Sequence, residues 1–436
     1  MKKQSGEIPL LFLYSETLKS FRRYQVNKTS ESVLRSGHPW ILNGNLSSAI
    51  SAFQDGDWMK LVSGQNEILG TGIYSSNGPI GIRIIQTEGD FSLDRLKQTI
   101  KNTFQLRKAL REETNAYRLV HGENDRLPGV TVDRYGKTWV VQTYSRSLRK
   151  FSRLVVRILY SQAKEEGESL PEKILWISPQ RIGSEEAIPV RFSRGKRETP
   201  YDEEIFLETV KWKTTLPGQK GGFFLDVRNL RSYLLEKREL AKDKECLHLF
   251  CHTGLTSACL EEAGARSIFS VDGAKEALEE FASRISSSEI HPSFEEKNRI
   301  QTFGKHSLVR ADLFRDWNFL EDRKFSLIVL DPPNLTPNQN SIPAGKKAYR
   351  SLISKALSHL EPGGDLILLS CSGRIRESEF EKIGRETLVH RGWKYRELER
   401  LVPEQDHPTR KEFPEGKYFK VHIYKGVSPV GAPTKI

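Results

Sequence analysis

Two stretches of this chain combine reactive residues with a spacing that could bring them together. Residues 327–333 read Leu-Ile-Val-Leu-Asp-Pro-Pro, and residues 366–372 read Leu-Ile-Leu-Leu-Ser-Cys-Ser. Each is an apolar run of strand length that stops at a polar or reactive residue. A continuous apolar run marks a strand covered on both faces, as in a parallel sheet. The spacing between them predicts a helix over 344–360, ended by Pro362-Gly363-Gly364. Strand, helix, strand is a βαβ unit, whose strands are parallel and adjacent, about 4.8 Å apart. Asp331 and Cys371 then stand side by side at the carboxyl ends, where open α/β sheets bind ligands. A lone Asp after a strand is often only a turn cap, and a lone Cys is usually a small buried hydrophobe. Together they pair a candidate nucleophile with a carboxylate that can hydrogen-bond its substrate.

The elements before them predict a ligand. Residues 247–250 form a strand, Cys251-His252-Thr253-Gly254 a turn, and 256–263 a helix closed by Gly264. The next strand, 267–271, ends at Asp272, and 309–312 ends a third at Asp312. A glycine turn lets backbone approach a ligand, and an acid after the second strand hydrogen-bonds ribose hydroxyls. The turn lacks GxGxxG, so a dinucleotide pyrophosphate is not indicated, and a phosphate-free nucleoside such as S-adenosyl-L-methionine is. Two opening strands, and a closing pair around Tyr395 and 421–424, complete a doubly wound sheet. Tandem prolines after Asp331 fix the backbone and remove two N–H donors, so the loop presents Asp331 rigidly to a planar base.

The remaining chain divides by its texture. Residues 1–24 read as an extension, and 25–90 as short strands with glycine turns, a small β-barrel. Residues 91–114 form a connecting helix, and 115–200 a middle α+β domain with an amphipathic basic helix over 147–165. Residues 191–197 read as a charged linker, and 201–428 form the domain with the reactive strands. Arg35, His38, Lys60 and Arg83 are candidates for a basic face toward phosphates. The chain has 436 residues, and 68 Lys+Arg against 56 Asp+Glu give +12, which suits a polyanionic partner. Cys246, Cys251, Cys259 and Cys371 have no zinc-ligand spacing and read as reduced thiols. No run approaches the length of a membrane span, and a cytoplasmic protein is expected.

These motifs carry a resemblance. Residues 201–428 resemble a class I S-adenosylmethionine-dependent methyltransferase. From about Val26 the chain resembles the bacterial large-subunit ribosomal RNA 5-methylcytosine methyltransferase family, whose members join a PUA domain, a middle α/β domain and a catalytic domain. The matching stretches are Gly37-His38-Pro39-Trp40, Asp125 to Gly129 with Asp133 to Gly136, and Gly221 to Asp226 with Arg228. Phe250 to Gly254, Asp331-Pro332-Pro333, Ser370 to Gly373 and Asp406-His407-Pro408 complete the set in the family's order. The chain departs from the pattern at Gly221, Val227, Leu255 and Asn334, and 286–305 matches poorly.

The resemblance implies roles. Phe250, Thr253 and Gly254 border the methionine end of the cofactor, Asp272 binds ribose and Asp312 the adenine amino group. Phe223, Asp226 and Arg228 belong to a stretch that closes over the cofactor. Asp331 borders the cofactor as well as the substrate base, which Pro332 and Pro333 also face, and Arg35 and His38 of the basic face are the candidates for RNA contact. The implied activity is formation of 5-methylcytosine in large-subunit ribosomal RNA through a Cys371 adduct at C6. Asp406 and His407 are candidates for the base that removes the C5 proton. Methylation of guanine N2 or uracil C5 is the first alternative, and a non-catalytic RNA-binding assembly factor, favoured by Leu255, is the second. Family members can be dimeric, and no motif here selects between monomer and homodimer.

Overall fold

The structure is a computed structural model that describes residues 21–177, 190–195, 201–217, 223–286 and 292–431. Most of the expected N-terminal extension, and Gly221, lie outside the described residues. The chain divides into two compact units, one holding residues up to 108, 118–197 and 410–414, the other holding 109–117, 198–409 and the C-terminal segment.

In the first unit, β1 (Arg22–Gln25), β2 (Trp40–Leu42), β3 (Trp58–Val62), β4 (Ile68–Tyr74) and β5 (Ile80–Thr87) form a five-stranded sheet in the order β1-β3-β4-β5-β2. Helix α1 (Lys28–Arg35) starts where the Asn27 side chain accepts the Ser30 N–H, an N-cap. Tyr24, Ile41, Met59, Leu61 and Ile82 fill the core beneath it. Helix α2 (Leu93–Leu106) is shorter than the expected connecting helix because the chain turns at Arg107. That guanidinium is fully buried and pairs bidentately with Asp125, at 2.9 and 2.6 Å.

The same unit holds a second sheet, in the order β10-β9-β8-β7-β6. Its strands are β6 (Ala116–His121), β7 (Val130–Tyr135), β8 (Thr138–Thr143), β9 (Lys173–Ile177) and β10 (Val190–Arg194). Helix α3 (Arg149–Glu165) connects β8 to its parallel neighbour β9. The linker expected over 191–197 is, through Arg194, strand β10, paired antiparallel with β9. Arg191 alternates with Val190 and Phe192 in the sequence, and the strand lies at the edge of its sheet, where charged residues are common. Arg83 does not join the expected basic face: it is buried, and burial lowers its pKa despite Glu123. Lys60 is paired with Asp90 at 2.7 Å.

The second unit opens with a hairpin, β11 (Tyr201–Leu207) and β12 (Val210–Leu216), which forms a sheet of its own. Helix α4 (Arg228–Glu236) leads into the main sheet. That sheet contains β13 (Glu245–Leu249), β14 (Ser267–Asp272), β15 (Ile300–Phe303), β16 (His306–Arg310), β17 (Phe325–Leu330), β18 (Leu360–Ser370), β19 (Trp393–Lys394), β20 (Glu397–Leu401) and β21 (Lys420–Pro429). The order is β15-β16-β14-β13-β17-β18-β21-β19, with β20 also on β21. Strands β16, β14, β13, β17 and β18 are parallel neighbours. Helices α5 (Leu255–Glu262), α6 (Lys275–Ile285), α7 (Ile342–Ser358) and α8 (Glu377–His390) lie along the connections.

Alternate strand residues divide between two cores. Ile328, Leu330, Leu366 and Leu368 join one, and Leu327, Val329, Ile367 and Leu369 the other. This explains why both strands are apolar without alternation. The expected helix over 344–360 is α7, which ends at Ser358. Pro362-Gly363-Gly364 belongs to β18, where the pairing shifts register between Gly364 and Leu366. A bulge is where a strand tolerates proline and glycine. The poorly matching stretch 286–305 contains the short antiparallel edge strand β15.

Candidate active site

Strand β13 is flanked by β14 on one side and β17 on the other, so the chain reverses its direction of winding there. In open α/β sheets this switch point forms a crevice beyond the carboxyl ends of the strands. The predicted site residues emerge at these ends.

The turn after β13 is strained. Phe250, His252 and Gly254 all have positive φ, at 63°, 50° and 86°. At Gly254 a Cβ would lie 2.3 Å from the Phe281 ring, so both space and backbone demand glycine. Asp272, at the end of β14, accepts the His252 N–H with Oδ2 and the Ala274 N–H with Oδ1, both at 2.8 Å. The carboxylate expected to bind a ligand thus also fixes the turn beside it. Asp312, beyond β16, accepts the Phe314 N–H at 3.1 Å and lies 3.5 Å from Arg315. The Phe314 ring packs 5.4 Å from that of Phe250. Thr253 and Leu255 are buried.

Residues 223–228 approach the same turn. The Arg231 guanidinium stands 5.3 Å over the Phe223 ring and donates to the Phe224 carbonyl (2.8 Å) and Thr256 Oγ1 (3.1 Å). The Phe224 ring lies 5.1 Å from His252. Asp226 accepts the Tyr418 hydroxyl at 2.9 Å. Arg228 is buried, 2.8 Å from Asp406 and 3.0 Å from Glu404. Burial disfavours its charge, but Asp406 and Glu404 outweigh burial and raise its pKa. Burial also pushes the Glu404 carboxyl up, against the opposing pull of Arg228. His407 lies 3.0 Å from the same Asp406 carboxylate. Arg228 and Asp406 thus form a buried ion pair, with His407 beside it, that anchors the start of α4.

Asp331 and Cys371 emerge across from the turn. Parallel pairing matches Leu330 with Leu368, and the Asp331 N–H bonds the Leu249 carbonyl at 3.1 Å. Asp331 is therefore one step, and Cys371 three steps, beyond a matched pair on adjoining strands. Cys371 is partly exposed, and its Sγ lies 3.9 Å from the Pro332 carbonyl oxygen. Pro332 is buried and Pro333 exposed. The other three cysteines are buried; burial raises the pKa of Cys246 and Cys259 to about 12 and lifts Cys251 well above its usual range. Among the four thiols, only Cys371 combines access with a carboxylate on the adjoining strand.

A network that the sequence did not reveal holds these two loops together. The Tyr349 hydroxyl, buried on α7, lies 2.9 Å from Ser370 Oγ and 3.2 Å from Ser372 Oγ. Ser372 donates to Asn334 Oδ1 (3.2 Å) and accepts the Leu335 N–H (3.2 Å). Asn334 is thus a tie between the loops. Lys420, at the start of β21 and buried, donates to the carbonyls of Ser372 (3.0 Å) and Tyr418 (2.8 Å). Burial lowers its pKa to about 8, although Glu377 and Cys371 favour its charge. The one sequence signal for Tyr349 or Lys420 is a polar residue in an apolar periodic segment.

In the first unit, Arg35 is exposed and paired with Glu31 (2.8 Å) and Glu67 (2.6 Å). The His38 ring lies beside Trp40 and Phe413. Trp40 Nε1 donates to Glu123 at 2.8 Å, and Glu123 also accepts the Gly129 N–H at 3.0 Å. The motifs Gly37–Trp40 and Asp125–Gly129 therefore meet as packing within this unit.

Comparison with known proteins places these observations. Residues 25–87 match the model of a PUA-like domain family. The ribosomal RNA large subunit methyltransferase I of Pseudoalteromonas atlantica is 30% identical over 407 residues, covering 92% of this chain and 99% of that protein. The protein of the same name from Klebsiella pneumoniae is 27% identical over 423 residues, covering 92% and 97%. Among solved structures, one from Streptococcus mutans, provisionally assigned as a SAM-dependent methyltransferase, superimposes with a TM-score of 0.73 at 20% identity, covering 93% of this chain and 100% of that one. Another, provisionally assigned as a methyltransferase and complexed with SAH, gives 0.74 at 20% identity over the same shares. At that identity the structures speak for the fold, and the near-complete sequence match speaks for descent: this chain belongs to the ribosomal RNA large subunit methyltransferase I family.

Proposed function

We propose that this chain transfers the methyl group of S-adenosyl-L-methionine to C5 of a cytosine in large-subunit ribosomal RNA, through a covalent bond between Cys371 and C6. The observation that carries this reading is that Asp331 and Cys371 follow the carboxyl ends of adjoining parallel strands, with the glycine turn and Asp272 across the switch point.

The residues fit the cofactor. A close-approach turn at Gly254 and acids beyond β14 and β16 supply what an adenosine needs, a surface for its ring and acceptors for ribose hydroxyls and the adenine amino group. S-adenosylmethionine supplies an electrophilic methyl group and leaves as the thioether. Cytosine C5 is too weakly nucleophilic to accept it directly. The Cys371 thiolate adds to C6, forming the Sγ–C6 bond and moving the electron pair toward C5. Asp331 hydrogen-bonds the N3/N4 edge and steadies the charge that develops there. C5 takes the methyl group, the C5 proton passes to a base, and the returning electron pair breaks the Sγ–C6 bond. Tyr349, Ser372 and Asn334 hold the two loops at a fixed separation during these steps. The target base must be unstacked to reach the crevice, and the PUA-like domain and the net positive charge supply affinity for RNA.

The test is mass spectrometry of nucleosides from ribosomal RNA fragments of a deletion strain and its parent. Loss of one 5-methylcytosine, restored by the wild-type gene but not by Cys371→Ala, is the expected result. Loss of an N2-methylated guanine instead would discard the Cys371 mechanism, and loss of 5-methyluracil would keep the thiolate addition at C6 but discard cytosine as the target. Unchanged RNA, together with no S-adenosylmethionine binding by calorimetry, would overturn the enzyme reading in favour of an assembly factor.

A further inference from the structure

We propose that the solvent face of α3 is the docking surface for the RNA phosphate backbone. This rests on the RNA-substrate reading, but not on the identity of the methylated base or on Cys371.

Helix α3 buries Phe151, Leu154, Val155, Leu159 and Ala163. Its opposite face exposes Arg149, Lys150, Arg153 and Arg157, and exposed Arg146 precedes it. Residues four apart on a helix share a face, so Arg149, Arg153 and Arg157 form one row with steps of about 6 Å along the axis. Neighbouring phosphates of one nucleic-acid strand are spaced on the same order. The guanidiniums of Arg146, Arg149, Arg153 and Arg157 have no carboxylate or hydrogen-bond partner among the described residues.

Two features make this more than a solvated basic face. Most cations of α7 and α8 have acidic neighbours: Lys346 pairs with Glu379, Arg350 and Lys382 with Glu386, and Arg385 with Glu381. The cations of α3 are also at the wrong end of their helix. Its first turn contains Arg149 and Lys150, no acid, and no side-chain cap. Cations at a helix N-terminus oppose the macrodipole, and like charges four residues apart repel. Both terms are unfavourable in the free protein, and both reverse when an anion lies along the helix, because the N–H groups and the cations then face negative charge together. A membrane surface fits less well, because an interfacial helix needs its apolar face outward, and the apolar side of α3 is turned into the core.

The test is filter binding of protein-free large-subunit ribosomal RNA across a salt titration. The proteins are the wild type, the triple variant Arg149→Gln, Arg153→Gln, Arg157→Gln, and a control, Lys382→Gln, Arg385→Gln, on α8. Each lost phosphate contact lowers the slope of log affinity against log salt by about 0.7–0.9. The triple variant is expected to lose about 2 to 3 from that slope and at least tenfold in affinity at moderate salt, with S-adenosylmethionine binding and thermal unfolding undiminished. The control is expected to keep the wild-type slope. Wild-type affinity and slope in the triple variant would overturn the surface and leave its charges to an acidic protein partner. Failure of the wild-type protein to bind the RNA at all would overturn the RNA reading and this proposal together.

Discussion

The turn after β13 and the loops after β17 and β18 reach the same edge of one sheet, but they are fixed by different means. The turn is held by backbone: three positive φ angles, a glycine with no room for Cβ, and the His252 N–H taken up by Asp272. The loops are held by side chains: Tyr349, Ser370, Ser372, Asn334 and the ammonium of Lys420. A ligand common to many enzymes can be met by a frame of main-chain geometry. A reacting thiol must be aimed, and aiming falls to rotamers locked by hydrogen bonds. Changes in the turn should therefore act on cofactor binding and folding, and changes in the loops on transfer.

The largest expected effect belongs to the loops. Cys371→Ala should abolish methyl transfer while leaving S-adenosylmethionine affinity unchanged, as read by radiolabel transfer and calorimetry; transfer at the wild-type rate would remove the covalent step. Gly254→Ala is the matching change in the turn. A Cβ against Phe281 in the left-handed region should destabilise by roughly 2–4 kcal/mol and weaken cofactor binding, measured by denaturant unfolding and calorimetry. Asp272→Asn is milder: an amide cannot accept both N–H bonds as the carboxylate does, at about 1–3 kcal/mol, so cofactor affinity should fall before the rate at saturating cofactor does. Tyr349→Phe should cost about 1 kcal/mol of stability and lower kcat with little change in cofactor affinity. The reverse pattern for Asp272→Asn and Tyr349→Phe would break the division between turn and loops.

The smallest effect is a pH slope. Lys420 has a pKa of about 8 in the folded protein, against about 10.4 for an unperturbed lysine. Between these values the unfolded chain binds more protons, so stability should rise with pH across that window. Lys420→Met should remove that rise, as seen in urea unfolding at pH 7.5 to 10.5.

Much of this was legible in the order of residues. Two apolar runs without alternation announced strands buried on both faces, and the two cores that divide Leu327 to Leu330 and Leu366 to Leu369 are the reason. The helices after Gly254 and before Cys371, and the strand ends at Asp272 and Asp331, follow from local periodicity and turn chemistry. The edge strand β10 was not legible, because a charged edge strand and a charged loop read alike. The bulge in β18 was not legible, because Pro-Gly-Gly signals a turn unless a neighbouring strand captures it.

Sequence by itself determined which residues end the strands, since that depends on contacts within a few positions along the chain. Tertiary structure alone decided their partners. It placed Arg83 in the core rather than on an RNA-facing surface, and bound Arg228 to Asp406 and Glu404. It also brought Tyr349, Asn334 and Lys420 to the loop of Cys371 from three separate elements. These contacts join residues tens to nearly two hundred positions apart. A buried polar group is satisfied by whatever the fold sets opposite it, and no local pattern records that choice.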